Sequence, residues 1–516
     1  MTTPLVPARR ARVRELRDLA VRRPLLATAL LAGVPRVLFA LSSFVLNGSH
    51  LIPDEVQYVT LAKTVVSGHT ADSWAHLYGQ HLYDSTWSFM APLVLLFHVF
   101  GTSRLVGQLL AVAFGVVAAV ATTRLARELV PAGWAIAAGG LVALLPSQIL
   151  WSSVVLRESL VWAGLVLLAL AVVYGARDPS RWAVIGAVAI ALLLLYLGHL
   201  RQQTAVAAAW SLILSACVIP TRRRLVRIAG VSAIALVVPL VLGLGIGGTK
   251  LVRDVAPHLG RTRAYLGLGA ESAFTPTSIY HGPPTEETGP VTDTIPGGGP
   301  APTTPTTAAP PTTEPPVAVA GPAGPTTPAS VVGLPANPPP TLTQPTPPTT
   351  ASALGGAAEI AAQPGTTVTT PGGAKQSLVI APRQGAVYVV DEGVGANVRE
   401  IPRGLLGTLF RPFPWESRPS LGLLLARVEN LLWYALYVLA LWGLWLSRRR
   451  LDVVAFPAIV TAAVIAVAAV TQGNVGTAFR HRGQIAWALA ILSVVALEHL
   501  WRTKAAPRWH ARHAPA

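Results

Sequence analysis

The stretch LIPDEVQYVTLAKTVVSG, residues 51–68, carries two adjacent carboxylates, Asp54 and Glu55. A carboxylate can take the proton of a hydroxyl nucleophile when it lies within hydrogen-bond reach of it. The same residues also read as a helix start. Asp54 is a good N-cap after Pro53, Gln57 completes a capping-box-like pattern, and acids in a first turn suit the helix dipole. Val56, Tyr58, Ala62 and Val66 continue at near-helical spacing and predict a helix over 54–67, stopped by Ser67-Gly68. Asp54 and Tyr58, at i and i+4, share one face of it. Further along, Arg157 and Glu158 adjoin, Arg201 sits in GHLRQQT, and Arg480, His481 and Arg482 sit in FRHRGQ near Gly473, Gly476 and Gly483. Arginine binds phosphate oxygens bidentately, and glycine permits close backbone approach to a ligand. Asp84, in YDSTW, is a second carboxylate candidate.

The elements that must hold these residues are apolar. The chain has 516 residues, 52% hydrophobic and only 12% charged, with mean hydropathy +0.52. Soluble domains carry about 25% charged residues, so the composition predicts an all-α polytopic membrane protein. Ten spans are expected, at 24–46, 104–123, 132–150, 155–175, 180–198, 203–219, 227–247, 427–446, 452–472 and 483–501. The run 87–101 is too short to span and reads as an interfacial helix. GLGIGG at 243–248 matches G-x-G-x-x-G, but it ends a span rather than joining a strand to a helix, so it is no nucleotide fingerprint. The lone Cys217 excludes a disulfide framework and a thiolate metal cluster. The net charge of +17 sits in short loops between apolar runs, which argues for membrane orientation and against nucleic acid.

Arg-rich segments at 1–23, 124–131, 176–179, 220–226, 447–451 and 502–516 are expected in the cytoplasm, with both termini. The basic start reads as the flank of an uncleaved first span. That orientation puts the loop 47–103, with Asp54, outside. It also puts the long segment 248–426 outside, whose Pro/Thr/Gly-rich middle, 275–373, predicts a disordered tether. Within its last part AVYVV suggests a short strand and LLGTLFRPFPW an amphipathic segment re-entering the interface. Arg157, Arg201, Arg480 and Arg482 fall on the outer side, against the orientation bias, and are the candidates for a lipid phosphate; snorkelling to headgroups is the other reading. Arg36, in mid-span, reads as structural or as lining a groove. Arg in large excess over Lys, with abundant Ala and Val, suggests a bacterial source.

A basic-flanked first span, D-E-x-x-Y opening an outer helix, then A-x-x-(V/L)-x-x-G resembles the GT-C class of membrane glycosyltransferases. Within it the chain is similar to the polyprenyl-phosphate-sugar-using families, such as protein mannosyltransferases and lipid A aminoarabinose transferases. The matching residues are Asp54, Glu55, Tyr58, Ala62 and Gly68, with APLVLLFHVFGTSRLVGQ and ALLPSQILWSSVVLRESLVW following the same pattern. The resemblance runs over roughly 24–220; the segment 248–426 departs from it. It implies a GT-C-like fold, a polyprenyl-phosphate-linked sugar donor, a glycan, lipid or protein acceptor, and inverting transfer on the extracytoplasmic face of the cell membrane. Asp54 then carries over as the catalytic acid/base, and Glu55 as an orienting or acceptor-binding neighbour. Some members of the class use a divalent cation. The spacings of His50, His69, His76 and His81, with Asp72 and Asp84, match no metal-ligand pattern, so no metal ligands are assigned. Two alternatives stand beside this: a polysaccharide polymerase or ligase with a lipid-diphosphate donor, and a transporter or flippase, which needs a polar site at mid-membrane.

Overall fold

The computed structural model describes residues 15, 18–46, 53–69, 77–177, 182–219, 224–255, 367–369, 375–380, 387–391, 394–415, 421–471 and 475–505. These fall in one compact unit, Met1–Ser278 with Ala361–Ala516. Apart from residues 367–369, the Pro/Thr-rich segment 275–373 lies outside the described residues, as do His50, Asp72, His76 and Gly473.

The helices are α1 (Pro24–Leu46), α2 (Pro53–Val66), α3 (Leu77–Ser85), α4 (Trp87–Phe100), α5 (Arg104–Ala126), α6 (Ala132–Leu144), α7 (Pro146–Trp151), α8 (Glu158–Arg177), α9 (Trp182–Gly198), α10 (Gln202–Val218), α11 (Arg224–Val241) and α12 (Thr249–Val255). Strands β1 (Thr367–Thr369), β2 (Lys375–Ile380) and β3 (Val387–Asp391) follow as a small antiparallel sheet in that order. Then come α13 (Val394–Phe410), α14 (Leu421–Leu446), α15 (Leu451–Thr471) and α16 (Val475–Leu500). The bundle itself is entirely helical. Among the described residues six helices, α1, α5, α8, α14, α15 and α16, are long and apolar enough to cross a membrane, and α11 with the bent segment after it makes a seventh.

This is a multi-pass membrane protein, and α1 shows why in residue detail. Its enclosed face is small or polar: Thr28, Ala32, Arg36, Ala40 and Ser43. Its exposed face carries Leu26, Leu30, Val34, Leu38, Leu41 and Val45. Large apolar groups outside and small groups at helix contacts is the arrangement that lipid favours, because only the close-packed side gains from association. Gly443 on α14 is the tightest such contact. A Cβ there would lie 1.8 Å from the Leu492 carbonyl oxygen of α16. Gly443→Ala is expected to destabilise the protein by about 1–3 kcal/mol, read as thermal unfolding in detergent. Gly133→Ala, where a Cβ meets nothing within 4 Å, is the matched control and is expected to be neutral.

Three predicted spans differ from the structure. The stretch 132–150 is broken at Leu145–Pro146 into α6 and α7, because Pro146 has no N–H to continue the helix. The orphaned carbonyls of the α6 end are taken up by Arg36. Its guanidinium donates to Ala143 O (2.7 Å), Val142 O (3.1 Å), Ala32 O (3.0 Å) and Ser152 Oγ (2.7 Å). On the other side of the break Glu429 of α14 accepts from the Ser147 N–H (2.8 Å), the Ser147 hydroxyl and Trp433 Nε1 (3.0 Å). A cation thus closes the C-terminus of α6 and an anion the N-terminus of α7, each against the matching dipole end. Arg36 is therefore structural and lines no groove.

The stretch 227–247 bends by 82° after Val241. Gly243, Gly245, Gly247 and Gly248 all have positive φ there, which glycine alone adopts freely. The GLGIGG run is a sharp bend braced by Trp210 Nε1 on Gly247 O (3.0 Å). Finally, α16 starts eight residues before the predicted span at 483, so Arg480, His481 and Arg482 lie on a helix rather than in a loop.

The end of the long segment also belongs to the bundle. AVYVV forms most of β3, and α13 packs on α15 and α16. The α13 terminus is tied in by Tyr434 OH on Phe410 O (2.6 Å), Tyr437 OH on Leu409 O (3.1 Å) and Asn430 Nδ2 on Phe410 O and Pro412 O (both 2.7 Å). Trp415 is exposed and stacks on Phe413.

Candidate functional site

The N-terminal ends of α2, α8, α10 and α16 meet at one end of the bundle. α8 and α16 are its most enclosed candidate spans. Their close approach is set at Gly483, where a Cβ would strike the Trp162 indole of α8 at 2.3 Å. Gly483 thus makes room for Trp162, not for a ligand.

An alternating row of charges runs across this end. Asp54 Oδ2 accepts from Arg480 Nη1 at 2.7 Å. Arg480 Nε stands 2.9 Å from Glu158 Oε1. Glu158 in turn accepts from Arg201 Nη2 through both oxygens, at 2.9 and 3.0 Å. Arg201 Nη1 points at His481 Nε2. A guanidinium only donates, so that ring nitrogen accepts and the imidazole is in the neutral form there. Arg157 Nη1 donates to Leu200 O at 2.7 Å, which pins the turn bearing Arg201. Trp151 lies under Arg480, its ring centroid 5.9 Å from the guanidinium carbon.

The row is graded in exposure. The side chain of Asp54 is 45% exposed, that of Arg480 16%, and those of Arg201 and Glu158 6% and 4%. Asp54 is the carboxylate a ligand can reach, and Glu158 is the enclosed hub. Tyr58 sits beneath, edge-on to Phe89 with ring centroids 5.1 Å apart. Burial pushes its phenol above the ordinary tyrosine value, so it stays protonated and neutral below the row.

Three predicted residues are placed elsewhere. Glu55 is fully buried, one helix step round from Asp54. It accepts from the Val155 N–H (3.1 Å) and pairs with Arg104 Nε at 3.3 Å, while Arg104 also donates to Ser43 Oγ (2.6 Å). It locks α2 onto α5 and the 152–157 turn. Arg482 lies two residues on from Arg480, about 200° round the helix. It donates to Thr408 O, Asn430 Oδ1 and Arg411 O, closing the α13 end rather than meeting a phosphate. Asp84 is exposed on the last turn of α3 and, among the described residues, joins none of these pairs. His69 is exposed and lies 3.1 Å from the Ser67 hydroxyl. Among the described residues no three His, Cys, Asp or Glu side chains gather as a metal site would need.

The sequence reading passes over Trp151 and Arg104. Arg104 carried a usable signal, since it begins its span at the same end as Asp54, like the arginines that were picked out. Trp151 carried none beyond its neighbourhood. No family model, curated protein or solved structure matches the chain.

Proposed function

We propose that this protein is a GT-C-like, inverting glycosyltransferase that moves a sugar from a polyprenyl monophosphate to an acceptor hydroxyl at the extracytoplasmic face. The observation that carries the reading is the half-exposed Asp54 at the mouth of a row holding Arg480 and Arg201, with Arg157 on the turn beside it. In the proposed reaction the acceptor oxygen attacks the anomeric carbon from the face opposite the phosphate. The new carbon–oxygen bond forms as the bond to the phosphate oxygen breaks, with its electron pair going to the lipid phosphate. The acceptor proton goes to Asp54.

Charge supports the monophosphate donor over the diphosphate of a polymerase. Arg201 and Arg480 balance Asp54 and Glu158, and Arg157, next to Glu158 in the chain and bonded to Leu200 O beside Arg201, leaves one positive charge in excess. A sugar phosphodiester carries one negative charge and neutralises it. After transfer the lipid phosphate carries about two, but Asp54 then holds the proton, so the site is neutral again. A diphosphate donor would leave excess negative charge at both stages. A transporter reading loses its mid-membrane candidate, because Arg36 spends four of its five N–H groups on protein oxygens.

Counting α6–α7 as one interrupted span, and adding α9, α10 and α11 to the six long helices, gives ten passes. Seventeen-residue helices such as α9 and α10 are about 25 Å long and suffice with little tilt. The Arg-rich ends of α5, α14 and α16, at Arg124, Arg448 to Arg450 and Arg502, stand opposite the site. That favours cytoplasmic termini and an outer site.

With water or an added hydroxyl compound as acceptor, the purified protein in nanodiscs is expected to release polyprenyl phosphate from a labelled polyprenyl-monophosphate sugar and not from its diphosphate analogue. Release from the diphosphate donor alone would transfer the assignment to the polymerase class.

A further inference from the structure

We infer that Arg480 is a two-position clamp through which the donor's phosphate switches the site on. The inference rests on the proposed reading of that site and goes beyond it to the order of events. At rest Arg480 is shared by two carboxylates, through Nη1 to Asp54 and Nε to Glu158. The two holds are unequal. Glu158 is enclosed and is fixed a second time by both of its bonds to Arg201. Asp54 is half-exposed and has Arg480 as its ion-pair partner. An incoming anion therefore displaces Asp54 and leaves the Glu158 side in place.

Of the other two arginines, neither holds the exposed carboxylate. Arg201 is committed to Glu158 and His481 and is 6% exposed. Arg157 gives Nη1 to the Leu200 carbonyl. Arg480 alone among the three offers an N–H edge whose present partner faces solvent. While Oδ2 accepts that N–H the carboxylate is held against Arg480, and it is not free to turn toward an acceptor, which a base must approach within hydrogen-bond reach. Once the phosphate takes Nη1, Oδ2 is released beside the anomeric carbon of the same donor. Donor binding then frees the whole carboxylate to turn toward the acceptor. Trp151 under the guanidinium keeps its plane fixed during the exchange.

The test is a binding measurement that needs no turnover. The probe is a polyprenyl monophosphate added to the full-length protein in detergent, with the corresponding polyprenol as the tail-only control. The clamp predicts that Asp54→Asn and Asp54→Ser bind the phosphate lipid about three- to tenfold more tightly than the wild type, with polyprenol binding unchanged. The gain is expected to vanish in the Arg480→Gln background. A tighter-binding variant cannot be a misfolded one, and the serine variant stands in if the asparagine does not fold. Equal or weaker binding by the Asp54 variants overturns the clamp and leaves the proposed reaction standing. A gain that persists without Arg480 also overturns it, since that would be simple repulsion between Asp54 and phosphate. Failure of the wild type to prefer the phosphate lipid over polyprenol overturns both the clamp and the proposed reaction.

Discussion

Asp54→Asn is expected to reduce sugar transfer by about 10²- to 10⁴-fold, the usual contribution of a positioned general base, while leaving the amount of protein in the membrane unchanged. The reasoning starts from the shape of the site. Asn keeps the size of Asp, and its carbonyl oxygen offers Arg480 Nη1 only a weaker, neutral partner in place of the 2.7 Å ion pair. What it cannot do is hold the acceptor's proton. Because Asp54 is 45% exposed, loss of its charge leaves no uncompensated group sealed in the interior, and folding should be little affected. The measurement is transfer from a labelled polyprenyl-monophosphate sugar by purified wild type and variant at equal concentration, with membrane abundance followed alongside. An active variant would remove Asp54 from the chemistry. Glu55→Gln gives the complementary result: it disturbs the buried link to Val155 and Arg104 and is expected to show as lower abundance.

The largest effect on stability is expected at Glu158, with Glu158→Ala costing about 3–5 kcal/mol. Glu158 is the anion between two guanidinium groups, Arg201 and Arg480, at 2.9 Å from each. Its removal leaves these two cations facing each other where water does not reach, and the cost is that of uncompensated buried charge rather than of one lost contact. The exposed pair Arg450–Asp452, 46% and 34% exposed at 3.3 Å, is the internal standard. Asp452→Ala is expected to cost no more than about 1 kcal/mol. Thermal unfolding in the same detergent compares the two directly. Equal midpoints for Glu158→Ala and Asp452→Ala would mean that the row is hydrated and that Glu158 is no hub.

Much of this architecture is legible along the chain because it depends on local periodicity and composition. The apolar run 24–46 is α1 residue for residue. Helix α2 lies within one residue of the expected 54–67, since Pro53 and Asp54 start a helix by local chemistry alone. The short apolar run near 87–101 is α4. The breaks were less visible. Pro146 lies in an unbroken apolar run, and only the carbonyls it frees, met by Arg36 from a distant helix, show that the run is two helices.

The residues fit for chemistry were nameable from type and position, but their division of labour was not. Asp54 and Glu55 are adjacent, and Arg480 and Arg482 nearly so, so in sequence each pair reads as one feature. A helix turns about 100° per residue, which sends one member of each pair into the charged row and the other into the packing. Sequence determined that carboxylates, arginines and apolar helices are all present at one end of a membrane bundle. Only the tertiary structure decided that Asp54 stays open to solvent while Glu55 is sealed against Arg104, and that Arg480 joins Asp54 to Glu158 while Arg482 closes α13. The reason is that burial and pairing are set by what lies across the helix interface, more than 400 residues away in the case of Asp54 and Arg480.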